Sequence, residues 1–353
     1  MIRHQLIKIL LMPLSLLYGI GISIRDLLYR LRILRSISFA IPVIGIGNLS
    51  VGGAGKTPHT EYLIRLLSPY MPIAVLSRGY KRKSSGFRIV GPEDSSLTVG
   101  DEPYQYFLKY RGTTVAVSES RSIGIPRLLT HRPDTQAILL DDSYQHRSVR
   151  PGLNILLTEH AHPYSKDILL PAGRLREWRS AADRADIIIV TKCPPDADAG
   201  AFLSEINPQE RQKIFFTTYE YFDPYSFLDG QRINLSSEGP KDIILLTAIA
   251  NEEYLEEYLD RLGHHVYPMS YEDHHEYSPH EVSLLNLKYE NLESADKIII
   301  TTEKDAVRLM HHVPFIKEKK LPIYVLPITV SFLFDQKNEF DSIVKEFLLN
   351  FKV

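Results

Sequence analysis

Gly47-Asn48-Leu49-Ser50-Val51-Gly52-Gly53-Ala54-Gly55-Lys56-Thr57-Pro58 is the stretch whose reading decides the fold. It follows a short apolar run, Ile41-Pro42-Val43-Ile44-Gly45-Ile46, and precedes apolar residues at helical spacing, Tyr62, Leu63, Leu66 and Leu67. A glycine-rich turn between a strand and a helix, closed by Lys-Thr, fits the phosphate-loop pattern G-x-x-x-x-G-K-[ST] at every position but the first, where Ser50 stands. The glycines let the backbone N–H groups of Ser50, Val51, Gly52, Gly53, Ala54 and Gly55 converge on phosphate oxygens with no Cβ in the way. The helix N-terminus adds positive partial charge. Lys56 is placed to reach the β- and γ-phosphates, and Thr57 to ligate Mg²⁺. Pro58 forfeits no helical hydrogen bond in a first turn. The loop implies a bound nucleoside triphosphate but not a reaction.

Outward from the loop, continuous apolar runs recur at 73–76, 114–117, 137–140, 154–157 and 187–190. Such runs suit strands covered on both faces. Helix-like stretches lie between several of them, for example 121–130. The alternation predicts an α/β fold: a doubly wound, mostly parallel sheet of the P-loop NTPase type. The pattern loosens between 207 and 239, where Asp223-Pro224 and Asp229-Gly230 signal turns. A second α/β set follows, with strands at 243–246, 297–301 and 323–326 and helices at 252–262 and 340–351. The expected division is a membrane-associated segment over 1–35, a P-loop domain over 36–225 and a smaller C-terminal α/β domain over 226–353 that closes the cleft.

Composition narrows the function. With 44% hydrophobic and 24% charged residues, the chain has enough apolar material for a substantial core. A formal net charge of −2 argues against a nucleic-acid-binding face, and the single cysteine, Cys193, excludes an intrachain disulfide. The N-terminus departs from this ordinary pattern. Residues 9–24 carry no charge, Arg3 and Lys8 precede them, and Arg25, Arg30, Arg32 and Arg35 follow. The run is marginal for spanning a bilayer, which takes roughly 20 apolar residues. Arginine flanks favour a helix seated at a membrane surface with anionic head groups.

A P-loop enzyme needs a second carboxylate at the end of a neighbouring strand. Ala137-Ile138-Leu139-Leu140-Asp141-Asp142 supplies one, with either aspartate a candidate for the metal side. Gly100-Asp101-Glu102-Pro103 offers a base, Asp101, and a further metal candidate, Glu102. Asp273-His274-His275 places histidines among carboxylates in the second half of the chain. No other Cys/His pattern has ligand spacing for zinc.

Seven segments in order resemble the tetraacyldisaccharide 4′-kinase family: the loop, Ser77-Arg78-Gly79-Tyr80, Gly100-Asp101-Glu102-Pro103, Asp141-Asp142-Ser143-Tyr144-Gln145-His146, Leu170-Pro171-Ala172-Gly173-Arg174-Leu175-Arg176-Glu177, Asp273-His274-His275 and Thr302-Glu303-Lys304-Asp305-Ala306. Ser143-Tyr144 replaces a Gly-Phe pair frequent in that family. The resemblance implies transfer of the ATP γ-phosphate, with Mg²⁺, to the 4′-hydroxyl of a tetraacylated glucosamine disaccharide 1-phosphate. It implies a peripheral or single-anchor enzyme of the inner membrane with its catalytic part on the cytoplasmic face; a monomer is expected. It implies an aspartate–histidine pair, here Asp101 and His274, acting beside Lys56 and Asp142. Arg78, Tyr80, Arg121 and Arg176 are the expected substrate contacts, Arg174 a further basic candidate, and Thr57, Asp141 and Glu102 the expected metal ligands. Two rivals stand against this. A regulatory GTPase is weakened because Pro194 replaces the aspartate expected after Thr191-Lys192. A non-catalytic membrane adaptor leaves the acidic residues and His274 without a purpose.

Overall fold

The computed structural model describes residues 2–237 and 239–352, with the side chains of 2–6, Arg3 among them, outside the described set. Its strands are β1 (Val43–Asn48), β2 (Ile73–Ser77), β3 (Arg88–Ile89), β4 (Thr114–Val117), β5 (Ala137–Leu140), β6 (Leu153–Glu159), β7 (Ile187–Thr191), β8 (Lys213–Tyr221), β9 (Tyr225–Ser226), β10 (Asp242–Thr247), β11 (His265–Ser270), β12 (Lys297–Thr302), β13 (Ile323–Leu326) and β14 (Ile328–Phe332). A nine-stranded sheet has the order β14-β8-β7-β6-β1-β5-β2-β4-β3, and a five-stranded sheet has the order β11-β10-β12-β13-β9. The inner pairs β8-β7-β6-β1-β5-β2-β4 are all parallel; β3 and β14 close the edges antiparallel. Val43–Asn48, Ile73–Ser77 and Ala137–Leu140 are buried at every position, as strands covered on both faces must be.

The order 6-1-5-2 puts β1 in mid-sheet, with its neighbours reached by crossovers on either side. Ligands of such sheets bind beyond the carboxyl ends of the strands, at the point where the order reverses. The phosphate loop leaves β1 at that end.

The second sheet begins within the expected junction: β8 ends at Tyr221 and β9 starts at Tyr225. The expected C-terminal domain over 226–353 does not, however, run to the chain end. β14 returns to the first sheet and pairs with β8, Ile328 opposite Tyr221. The final helix Lys337–Leu349 buries Phe340 and Val344 in the core of the first sheet, and Tyr62 donates to Asp341 at 2.6 Å. Two chain crossings therefore join the domains, and Phe222 N–H donates to the Pro327 carbonyl between them at 3.1 Å.

The helix Ile2–Arg30 is long and apolar enough over 7–30 to cross a membrane by length and composition. Among its described side chains, one stripe touches the rest of the protein. Ile22 enters a core cluster with Leu49 and Leu169, and Ser15 Oγ donates to the Leu169 carbonyl at 3.1 Å. Arg25 pairs with buried Glu177, and Trp178 Nε1 donates to Ser23 Oγ at 3.0 Å. Leu10, Leu14, Leu16, Leu17, Ile20 and Ile24 are exposed, as are Arg30, Arg32 and Arg35.

Candidate active site

The loop takes its shape from two neighbours. Val51 N–H donates to the Arg174 carbonyl at 2.8 Å, and Ser50 bridges to Leu175. Gly52 and Gly55 have φ of 112° and 82°, the left-handed region that favours glycine. A Cβ on Gly55 would also lie 2.6 Å from the Tyr219 hydroxyl. Lys56, first in the helix Lys56–Leu67, extends its Nζ to 3.2 Å from Asn48 Oδ1 and 3.7 Å from Asp142 Oδ1. The loop borders a cavity of about 620 Å³ that also reaches Asp141, Arg176, Asn251, His274 and Lys304. This volume is in the range of sites for small-molecule ligands. Both domains contribute walls: the Ala250 methyl lies 3.3 Å from where a Gly53 Cβ would stand.

β5 ends in Asp141 and Asp142, which face different surroundings. Burial and the charges of Glu102 and Asp142 push Asp141 up to about 6. Its Oδ2 accepts from Ser77 Oγ at 3.3 Å, while the buried Oδ1 has no partner among the described residues. Burial alone would raise Asp142 too, but Lys56 and Arg176 hold its carboxyl well below the usual range. A buried carboxylate oxygen without a donor, on a residue that lines the same cavity as Thr57, fits a divalent cation of the oxygen-loving kind. Glu102, expected among the metal ligands, lies 3.0 Å from Lys304 Nζ, and with Asp101 and His274 it forms a group whose ligand atoms lie close enough together to hold a metal ion. Its charge still bears on Asp141.

Asp101 opens the helix Asp101–Lys109 and meets His274 across the domains, with Nδ1 3.0 Å from Oδ2. His274 adopts φ 61°, rare for a residue with a Cβ, and that turn aims its ring into the cleft. His275 turns away to Glu281 at 2.9 Å. The Tyr80 ring packs edge-on against His274 at 5.0 Å. Two residues that sequence reasoning left without a role complete the cluster. Arg308 donates to Asp101 Oδ2 from Nη2 at 2.7 Å, and Lys304 Nζ lies 3.1 Å from His274 Nε2. Lys304 belongs to the quoted Thr302–Ala306 motif; Arg308 follows it in an ordinary-looking helix. Burial opposes the charge on Asp101, but the His274 hydrogen bond and the Arg308 charge hold its carboxyl at about 2.

Of the four expected substrate contacts, Arg78, Tyr80 and Arg176 line the cavity. Arg176 also braces the loop strand, donating to the Asn48 carbonyl at 2.9 Å and to Asp142 Oδ1 at 3.2 Å. Arg174 donates to Asp167 at 3.0 Å and lies off the cavity wall. Arg121 is a correction. It is fully buried beneath the site and donates to the carbonyls of Ser118 at 2.9 Å and Asp141 at 2.8 Å. It supports the Asp141 turn rather than meeting substrate. Lys192 pairs with Glu159 at 2.5 Å on the cavity wall, which satisfies its charge within the protein.

The family model described as tetraacyldisaccharide-1-P 4′-kinase matches residues 7–349. The tetraacyldisaccharide 4′-kinase of Bacteroides thetaiotaomicron is 42% identical over 344 residues, covering 94% of this chain and 90% of that protein. The Flavobacterium johnsoniae protein of the same name is 41% identical over 355 residues, covering 98% of each. The solved structure of LpxK from Aquifex aeolicus in complex with ATP superposes with a TM-score of 0.74 at 28% identity, covering 97% of this chain and 99% of that one. With a family match over nearly its whole length and relatives above 40% identity, the chain belongs to the tetraacyldisaccharide 4′-kinase family.

Proposed function

We infer that the chain transfers the γ-phosphate of ATP to the 4′-hydroxyl of a tetraacylated glucosamine disaccharide 1-phosphate, a step of lipid A biosynthesis. The single observation that carries this is the shared cavity. The phosphate loop with Lys56 and the ring of His274 border one space, and His274 holds Asp101 beside it. The proposed roles follow from that arrangement. The loop amides and Lys56 bind the triphosphate and offset charge growing on the leaving ADP. The sugar oxygen attacks the γ-phosphorus as the bond to the bridging oxygen of ADP breaks, and its proton passes to Asp101. Thr57 and Asp141 would hold Mg²⁺, which would supply charge neutralisation for the transferred group. Arg78, Tyr80 and Arg176 orient the acceptor. Phosphoryl transfer asks for positioning and charge stabilisation, and these residues supply both.

The acceptor explains the N-terminal helix. Each acyl CH₂ buried in lipid is worth about 0.8 kcal/mol, so four chains stay in the bilayer while the head group is modified. The exposed apolar face of Ile2–Arg30, with Arg30, Arg32 and Arg35 beside it, supports a seat at the membrane, placed on the cytoplasmic side of the inner membrane where ATP is available. The test is chemical: incubate the purified protein with ATP, Mg²⁺ and the disaccharide lipid, then read the lipid by mass spectrometry and phosphorus NMR. One added phosphomonoester at the 4′ position is expected; ATP consumption with unmodified lipid refutes the reading.

A further inference from the structure

Glu61 stands one helical turn after Thr57 on Lys56–Leu67, the helix that the phosphate loop opens. Its carboxylate is buried and well supplied with donors. Gln105 Nε2 donates to Oε1 at 2.8 Å, and the Tyr110 hydroxyl and Lys109 Nζ donate to Oε2 at 3.1 and 2.7 Å. Lys109 ends the helix Asp101–Lys109, also in the first domain, and its ammonium reaches further. It lies 2.7 and 2.8 Å from the two oxygens of Glu303, the first residue of Glu303–Leu309 in the second domain. The side chains of Glu61, Glu303 and Lys109 are 2%, 10% and 28% exposed, and both glutamates line the cavity. Arg65, one turn beyond Glu61, stays 3.8 Å from it and donates to Thr329, two residues past the return crossing at Pro327.

Two like charges, one from each domain, thus face one ammonium in a place with little water. An ammonium has three donors, and three carboxylate oxygens surround this one. With Lys109 between them, Glu61 and Glu303 draw the domains together; without it they repel, and removing one partner from a buried charge cluster leaves the rest uncompensated. The cluster sits beside the chain crossings, where a small displacement grows with distance across the second domain. That domain supplies the far wall of the nucleotide cavity, bringing Ala250 up to Gly53 and placing Asn251 on the wall.

We propose that Lys109 is a positioning residue for the transfer step: by clasping Glu61 of the phosphate-loop helix and Glu303 of the second domain at once, it sets the angle at which the second domain sits over the phosphate loop. This rests on the kinase reading above. Lys109 touches neither nucleotide nor acceptor; it acts through the alignment of the two cavity walls, and misplacing reacting groups by about 1 Å is enough to cost a large part of the rate.

The test uses the full-length protein in detergent micelles, spin-labelled through Asp134→Cys in the first domain and Glu293→Cys in the second, both exposed, while Cys193 is buried. Distances are read by pulsed electron spin resonance at about pH 9, well above ordinary carboxyl values. The parent should give one narrow distance. Lys109→Met keeps the apolar stem and removes the charge; its distance should broaden and shift. Adding Glu303→Gln removes the repulsion and should bring the distance back toward that of the parent. In lipid-kinase assays without labels, Lys109→Met should lower kcat/KM about tenfold, with kcat and KM moving together as changes at a hinge do, and Glu303→Gln should recover most of the loss. An unshifted distance in Lys109→Met overturns the proposal, even where its thermal midpoint falls, since the lysine would then be structural only. A deficit that Glu303→Gln fails to relieve overturns it as well. The distance arm needs no turnover: the expected shifts in a protein that transfers no phosphate contradict the kinase reading and not the brace.

Discussion

Asp101 and His274 are 173 positions apart in sequence and touch at 3.0 Å, one from each domain. The chain crosses between the domains twice, leaving after β8 and returning at β14, and the two crossings lie side by side where Ile328 stands opposite Tyr221. Asp101→Asn keeps the size of the side chain and removes its capacity to take a proton. Phosphate transfer should fall about 100-fold or more, while ATP affinity measured by calorimetric titration stays within a few-fold. Normal transfer by the variant removes Asp101 from the chemistry.

The membrane face and the docking face of Ile2–Arg30 make separable predictions. Leu10, Leu14 and Leu17 are 80%, 53% and 64% exposed and touch little of the protein. Full burial of a leucine is worth roughly 1.5–3 kcal/mol. Replacing all three with serine should weaken co-sedimentation with anionic vesicles by about two orders of magnitude or more and leave the thermal midpoint unchanged. Gly19 lies on the other face, where a Cβ would sit 2.4 Å from the Trp178 ring. Gly19→Leu should lower the thermal midpoint and activity while vesicle binding persists. Unaltered vesicle binding by the triple serine variant would argue against a membrane seat.

Asp141 Oδ1 is buried with no donor among the described residues, and Asp141→Asn removes the charge a cation would neutralise. The Mg²⁺ concentration for half-maximal activity should rise at least about tenfold. An unchanged magnesium dependence would move the metal away from β5.

His59 packs behind the phosphate loop, its Nδ1 2.7 Å from the Gly55 carbonyl and its Nε2 3.1 Å from Thr217 Oγ1. Burial pushes its imidazole down from 6.5 to about 4. A base with a lowered folded pKa contributes stability that is present above the unfolded value and lost as pH falls through the folded one. Stability should therefore fall as the pH is lowered from 6.5 to 4, by about 3 kcal/mol from this residue, and the thermal midpoint should fall with it. His59→Gln should flatten that part of the curve, as scanning calorimetry at stepped pH would reveal; an equally steep decline in the variant would assign the loss to other groups.

Much of the first sheet was legible because its strands are buried on both faces and read as unbroken apolar runs: 73–76 and 137–140 were expected, and Ile73–Ser77 and Ala137–Leu140 formed. β8 and β14 were not legible. They are a partly exposed edge pair, Lys213–Tyr221 and Ile328–Phe332, with mixed burial and partners about a hundred residues apart. The return of Lys337–Leu349 to the first core was invisible for the same reason: an amphipathic helix does not say which sheet it covers. In the site, the phosphate loop could be read from spacing alone because its chemistry is local. Arg308 could not, since nothing in Asp305-Ala306-Val307-Arg308 distinguishes a buried carboxylate partner from a surface arginine. Arg121 misled in the opposite direction, a basic residue near motif segments that folding sends inward to the Asp141 carbonyl.

The most direct measurement is a label-transfer assay with γ-labelled ATP and the disaccharide lipid in mixed micelles, comparing wild type with Lys56→Ala. Label should appear in the lipid for the wild type and fall on the order of 100-fold in the variant, as the proposed roles of the backbone amides of residues 50–57 and the Lys56 ammonium require. Label that stays in ATP or goes only to water in the wild type, or equal lipid labelling by Lys56→Ala, would contradict it.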